Sequence, residues 1–320
     1  MAFDILLIDG KNLLYRVAYT HQDLSYKDET GTHPSGAIFG FLNALCGITQ
    51  RWGSPAIICW ESSADVLGGY SDRIRPGVNF RKVLYPDYKG DREDRGPEWD
   101  GWLRSIHEQQ TKLVELLFFL GVDQAYGNGY EADDTLATMA RALEGPEKVA
   151  IYTSDGDLWQ CIDQNISVIC PKKAQKKRIT EKLIDVEAFV DEHGIQPQQW
   201  VHAKALSGDK GDNVPGVKGI GPKTALKLIQ AHGTAAGAIE AAKAGKANTT
   251  DRLSEAIVKG QDVIELALDL VTVRHVDPLV VFEGEFDQAA LDKLFWEYKF
   301  KTFTVAPKRG ELMAIGANCR

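Results

Sequence analysis

Residues 4–9 read DILLID, a short apolar run closed by an acid at Asp9. Such a run, too short for a helix and apolar on every position between its ends, is what a parallel strand buried on both faces shows. AIICWE (56–61) and KVAIYTSD (148–155) repeat the pattern, ending at Glu61 and Asp155. Helical periodicity fills the intervals: PSGAIFGFLNALCGITQR (34–51), WLRSIHEQQTKLVELLFFL (102–120) and EADDTLATMARALE (131–144). The alternation predicts an α/β fold with a mostly parallel central sheet flanked by helices. From about residue 181 the pattern turns helical. Residues 62–100 are polar, charged and long for a connection, as functional flaps are. TKLVELLFFL (111–120) reads as core packing.

A chain of 320 residues can bury a sizeable core, and its composition is that of a globular protein. Its apolar runs fall well short of a bilayer span, and its start reads as a strand, so neither membrane attachment nor a signal peptide is expected. Five cysteines are an odd number without paired spacing, and Cys59 lies inside an apolar run. Packed reduced thiols and a cytoplasmic setting are the expectation. The net charge of −8 argues against nucleic acid only if charge is spread evenly. Clustered carboxylates and clustered bases can coexist.

The acids are clustered by position. In open parallel sheets ligands bind outside the C-terminal strand ends, where Asp9, Glu61 and Asp155 fall. Asp157 follows Asp155, GYEADD supplies Glu131, Asp133 and Asp134 at a helix start, and Asp209 and Asp212 make nine. Any one of them alone reads more simply as a helix cap or loop residue. Gathered together, so many carboxylates would cost stability unless cations sat among them. An all-oxygen set without a neighbouring His/Cys group selects Mg²⁺ or Mn²⁺ over zinc. Two such ions are the usual apparatus for phosphodiester hydrolysis.

ALSGDKGDNVPGVKGIGPKTALKLI (205–229) sets Asp209 and Asp212 ahead of a glycine hairpin and a lysine-bearing helix. Gly216, Gly219 and Gly221 permit unusual backbone, Pro222 suits a first helical position, and Lys223 and Lys227 share a face. The segment reads either as a plain turn between packed helices or as a sequence-independent phosphate grip. The lysines favour the second. FRKVLYPDYKGDR (80–92) interleaves Arg81, Lys82, Lys89 and Arg92 with Tyr85 and Tyr88, a pattern suited to unstacked strand ends or to a solvated loop. PKKAQKKR (171–178) is an exposed basic turn or a DNA patch.

Together LLIDGKNLLYR, FRKVLYPDYKGDR, GYEADD, TSDGDLWQ and the 205–229 segment resemble the 5′-nuclease (flap endonuclease) family. They are most similar to its bacterial and phage branch, which includes the N-terminal 5′→3′ exonuclease domain of DNA polymerase I. The likeness covers about residues 4–304, and LDLVTVRHVDPL and LFWEYKFKTF share it. The resemblance implies a PIN-like nuclease fold, a helical arch and a C-terminal helix–three-turn–helix subdomain. The domains would be 1–180, with the arch at about 80–112, then 181–304, then a tail at 305–320. It implies cleavage of 5′ flaps and duplex 5′ ends of DNA in replication and repair, by a monomer. Asp9, Glu131, Asp133 and Asp155 match ligands of one Mg²⁺ or Mn²⁺. Asp157, Asp209 and Asp212 match those of a second, with Asp134 supporting. Lys89 and Arg92 match catalytic basic residues that contact the scissile phosphate at the base of the arch. Arg81, Tyr88, Gly216, Gly219, Gly221, Lys223 and Lys227 are matched to DNA contact, with K⁺ a candidate at the hairpin.

Two departures stand out. Glu61 replaces the usual aspartate, so a shifted or water-mediated ligand is expected there. Residues 62–79 are longer than their counterparts. No polymerase follows, so a stand-alone nuclease is expected. A DNA-junction binder without chemistry would show gaps in the acid set, and none is missing. A small-molecule metallophosphatase would leave the hairpin without a role.

Overall fold

The computed structural model describes residues 3–53, 55–61, 79–90, 96–143, 145, 147–173 and 179–318. The expectation for 62–79 therefore falls almost wholly outside the described residues, as does Arg92. Two compact units interleave along the chain. One comprises Met1–Gly77, Asp94–Ser154 and His275–Arg320, the other Val78–Glu93 and Asp155–Arg274.

The first unit begins with β1 (Ile5–Asp9) and α1 (Gly10–Thr20), then the hairpin β2 (Ser25–Asp28) and β3 (Gly31–Pro34), then α2 (Gly36–Trp52) and β4 (Ala56–Glu61). After α3 (Phe80–Leu84), which belongs to the second unit, come α4 (Pro97–Phe119), β5 (Asp123–Gly127), α5 (Ala132–Ala142) and β6 (Val149–Tyr152). Four of its strands lie in the order β6-β1-β4-β5, each parallel to its neighbour. Leu6, Leu7 and Ile8 are successive and all have no exposure. Because neighbouring side chains on a strand point to opposite faces, both faces of β1 are covered. Helices α1, α4 and α5 pack on this sheet.

The structure bears out the three strands read from the sequence and moves their ends. KVAIYTSD stops pairing at Tyr152, and Thr153 turns its hydroxyl to Asp9 instead. Helix α4 begins five residues before the expected 102, at Pro97, which needs no N–H bond at the first helical position. Leu113, Val114, Leu116, Leu117 and Leu120 of TKLVELLFFL are buried as expected. Gly10, between Asp9 and Lys11, is required by packing: a Cβ there would lie 2.5 Å from the Trp60 ring. That indole in turn donates to Gln124 Oε1 at 3.0 Å, and the Gln124 amide donates to the Val114 carbonyl at 3.0 Å. The buried polar pair is thereby satisfied.

The second unit holds the hairpin β7 (Ile166–Lys173) and β8 (Ile179–Ile184), which the sequence reading did not separate from its basic turn. Helices follow: α6 (Val186–His193), α7 (Trp200–Ser207), α8 (Pro222–His232), α9 (Ala235–Lys243), α10 (Asp251–Lys259) and α11 (Gln261–Val271). The helical reading beyond residue 181 needs one correction. The chain returns to the first unit as β9 (Leu279–Phe282), antiparallel to β5, before α12 (Gln288–Glu297), α13 (Lys301–Thr304) and α14 (Lys308–Asn318). Among the described residues no helix is long and apolar enough to cross a membrane. Cys46, Cys59, Cys161 and Cys170 are buried. Burial pushes the Cys46 thiol up to about 11 and Cys59 further still, so both stay protonated.

Candidate functional site

In the first unit the parallel register of β1, β4 and β5 brings their C-terminal ends to one sheet edge. Asp9 closes β1 and caps α1: one oxygen accepts the Asn12 N–H at 2.9 Å, the other the Thr153 hydroxyl at 2.9 Å. Glu61 closes β4 and forms an ion pair with Lys11, in the first turn of α1. Glu131 caps α5, and Asp134, fully buried three residues on, accepts the Glu131 N–H at 3.2 Å. Asp133 lies between them, half-buried. The cap reading of Asp9 and Glu131 therefore holds as structure, and capping leaves a carboxylate its further lone pairs.

In the second unit Asp155 caps the short 3₁₀ turn Gly156–Cys161 by accepting the Asp157 N–H at 2.9 Å. Asp157 and Asp209 converge on a residue the sequence reading missed. Lys204 of α7 forms ion pairs with both. All three side chains are largely buried, with 14% exposure for Lys204, 15% for Asp157 and 26% for Asp209. Burial pushes Asp157 up to about 6, against the pull of Lys204, and Asp155 adds to the rise. Burial also opposes the Asp209 charge, but Lys204 and the turn's amides outweigh it and hold Asp209 below its ordinary value. Burial opposes the Lys204 charge as well, yet the two carboxylates hold its pKa above the ordinary range. One ammonium between two carboxylates leaves an excess negative charge, and Asp157, the more buried acid, is the one pushed toward protonation.

Asp209 opens a tight turn. Its N–H donates to the Val214 carbonyl at 3.0 Å, the Val214 N–H donates back at 2.7 Å, and the Gly211 N–H donates to Asp209 Oδ1 at 2.8 Å. Asn213 takes φ +54 to close it. The loop before residue 90 docks on this turn. The Lys89 N–H donates to the Asp212 carbonyl at 2.9 Å, and the Asn213 amide donates to the Asp87 carbonyl at 2.8 Å. Lys89 Nζ lies 3.6 Å from the Asp212 carboxylate, which also accepts the Tyr88 hydroxyl at 3.1 Å. Two predicted functional residues 123 positions apart, Lys89 and Asp212, are thus neighbours.

Beyond the turn, Gly208 (φ +71) and Gly216 lie back to back: a Cβ on Gly216 would be 2.3 Å from the Gly208 nitrogen. Gly219 has φ +92. Gly221 is a correction, since its φ is −97 and a Cβ would meet open space. Pro222 stands at the start of α8 as expected, and Lys223 and Lys227 are exposed on it, one turn apart. Two further expectations are overturned. Arg81, read as a DNA contact, is buried and donates to the carbonyls of Leu270 (2.8 Å) and Thr272 (3.4 Å). Tyr88, read likewise, is 3% exposed, its hydroxyl spent on Asp212. Of PKKAQKKR, residues 174–178 lie outside the described residues.

Among the described residues no three His, Cys, Asp or Glu side chains are already grouped to hold a metal ion. The carboxylates instead carry the chain's own cations: Lys11 on Glu61, Lys204 between Asp157 and Asp209, Lys89 beside Asp212. An all-oxygen donor set that draws in ammonium groups has the chemistry for hard divalent ions.

Comparison with known proteins agrees with this architecture. Residues 4–194 match the family model for the 5′-3′ exonuclease N-terminal resolvase-like domain, and residues 195–293 the model for the 5′-3′ exonuclease C-terminal SAM fold. The thermostable DNA polymerase I of Thermus aquaticus is 32% identical over 278 residues, 87% of this chain and 29% of that protein. DNA polymerase I of Deinococcus radiodurans is 33% identical over 242 residues, 75% of this chain and 22% of that protein. The chain thus spans less than a third of the length of these relatives. Among solved structures, a complex of the bacteriophage T5 flap endonuclease with DNA and metal ions has a TM-score of 0.64 at 18% identity, covering 84% of this chain and 89% of that one. The catalytic core of Rad2 in complex with DNA substrate has a TM-score of 0.55 at 16% identity, covering 100% of this chain and 93% of that one. These likenesses establish the fold: a mostly parallel PIN-like sheet flanked by helices, with a C-terminal helical SAM-like region.

Proposed function

The chain belongs to the 5′-3′ exonuclease family, and on that premise we propose that it is a structure-specific 5′ nuclease cleaving 5′ flaps and duplex 5′ ends of DNA. The observation that carries the proposal lies in the second unit. A buried carboxylate pair, Asp157 and Asp209, and a lysine-paired Asp212 lead directly along the chain into a glycine turn and a helix with exposed Lys223 and Lys227. Acid chemistry and a phosphate grip share one short segment, so the distance from held backbone to cut is fixed by the chain itself.

Asp9, Glu131, Asp133 and Asp155 would hold one Mg²⁺ or Mn²⁺, and Asp157, Asp209 and Asp212 the other, with Asp134 fixing the α5 N-terminus and Glu61 acting at longer reach. What such a pair supplies when bound is positive charge at the attacking and leaving oxygens of an in-line displacement. Lys89 supplies a fixed ammonium for phosphate charge that grows in the transition state, with Arg92 in the same role. The amides of residues 216–221, the N-terminus of α8 and its two lysines bind phosphates without reading bases. K⁺ at the hairpin's backbone carbonyls belongs to the same reading. A monomer in a reducing cytoplasm fits the buried, protonated thiols of Cys46 and Cys59.

The test is a 5′-labelled flap duplex incubated with protein and Mg²⁺, with product lengths mapped. Cleavage near the flap junction is expected, abolished by chelator and by Asp155→Ala. Tight binding of the flap duplex without any cleavage in Mg²⁺ or Mn²⁺ would instead make the protein a junction binder.

A further inference from the structure

We infer that Lys204 is a built-in cation that holds the place of a divalent ion between Asp157 and Asp209, and that an ion can enter this pair only by displacing it. The inference rests on the metal-site reading above and adds a residue which that reading does not use.

Lys204 sits on α7, whose buried neighbours on the helix are Ala203, Ala205 and Leu206. A lysine in such a setting pays heavily for desolvation unless its charge is matched. It is matched twice, by one oxygen each of Asp157 and Asp209. The carboxylates are aimed at it by their own backbone. Asp209 Oδ1 is taken by the Gly211 N–H at 2.8 Å, which turns Oδ2 to the lysine. Asp157 is fixed at the start of the 3₁₀ turn, where its N–H is bound by Asp155 at 2.9 Å. Two carboxylates converging on one point make a cation position, and a primary ammonium is the ion the chain can provide for itself. It satisfies the pair only in part, because two negative charges face a single positive one. A divalent ion at the same point would neutralise both.

Two consequences separate this role from ordinary packing. Without the lysine the pair should bind a divalent ion more tightly, since nothing has to leave and no positive charge remains nearby. In the intact protein, ion binding should free the Lys204 amine. The measurement is Ca²⁺ titration calorimetry on the wild type, Lys204→Met and Lys204→Gln in metal-free buffer. It is paired with amine-reactive labelling of the wild type, read at Lys204 by peptide mass spectrometry with and without saturating Ca²⁺. We expect both variants to bind the weaker Ca²⁺ about tenfold more tightly than the wild type. We expect Lys204 labelling to accelerate by about tenfold or more on Ca²⁺ saturation, as a buried paired amine becomes accessible. Unchanged labelling in saturating Ca²⁺, or variant affinities equal to or weaker than the wild type, overturns the inference while leaving the metal site standing. If the wild type takes up no Ca²⁺, or if Asp157→Asn and Asp209→Asn leave uptake intact, the metal-site reading itself falls, and this inference with it.

Discussion

Two basic segments of the second unit look alike in sequence and behave oppositely in the fold. FRKVLYPDYKGDR and GVKGIGPKTALKLI both mix cations with residues that suit nucleic acid. In the second, Lys223 and Lys227 stand exposed on α8. In the first, the cations divide. Arg81 turns inward to the carbonyls of Leu270 and Thr272 at the end of α11, Lys89 turns to Asp212, and Lys82 alone of the described three is exposed. Helix ends leave carbonyls without partners, and a planar guanidinium with several donors is well suited to supply them. Basic composition therefore does not tell a phosphate contact from a structural clamp. The accessible partner does.

The largest effect that would sharpen this contrast is Arg81→Ala. It removes the donors to two carbonyls and the packing of the guanidinium over the Phe80 ring, 4.6 Å away. A loss of about 3 kcal/mol of stability is expected in denaturant titration, with the salt dependence of duplex binding unchanged. Full stability with a shallower salt slope would return Arg81 to the DNA surface. Lys223→Ala should do the reverse. Stability stays at the wild-type value, binding weakens equally on all sequences, and the slope of log K against log salt shrinks by about one. A sequence-dependent loss would break the reading of α8 as a phosphate contact.

The same contrast explains what could be read in advance. Strands β1, β4 and β6 were legible because each is an apolar run closed by acid or hydroxyl residues, and the acids at their ends followed at once. Strand β5 was not, because DQAYG begins with polar residues; Gln124 is buried there only because the Trp60 indole and the Val114 carbonyl use its amide. β9 carries the right residue types, but its partner β5 lies more than 150 positions earlier, and sequence periodicity reports nothing at that range. Among the site residues the carboxylates and Lys89 were legible, and Lys11 and Lys204 were not. Lys204 is a single charge in an apolar helical stretch, and its meaning comes from Asp157, 47 positions away. The reading of Arg81 failed for the same reason, its carbonyl partner lying 189 positions along the chain. Local pattern finds groups that are unusual by type. It does not find groups made unusual by a distant partner.

The smallest expected effect tests the boundary between the two kinds of residue. Tyr88→Phe keeps the ring and deletes only the hydroxyl that donates to Asp212 at 3.1 Å. An aromatic that served mainly to stack on an unpaired base would tolerate this change, since phenylalanine presents the same face. A buried tyrosine that fastens a loop to a carboxylate would not. The loop retains the Lys89 N–H bond to the Asp212 carbonyl and the Asn213 bond to Asp87. The Asp212 carboxylate, 22% exposed, can recruit water in place of the lost donor. The net cost should therefore be about 1 kcal/mol in denaturant titration, with affinity for a flap duplex at the wild-type value. If stability is unmoved and flap affinity with it, the hydroxyl fastens nothing, Tyr88 belongs with the exposed lysines as a stacking ring, and burial has misassigned it.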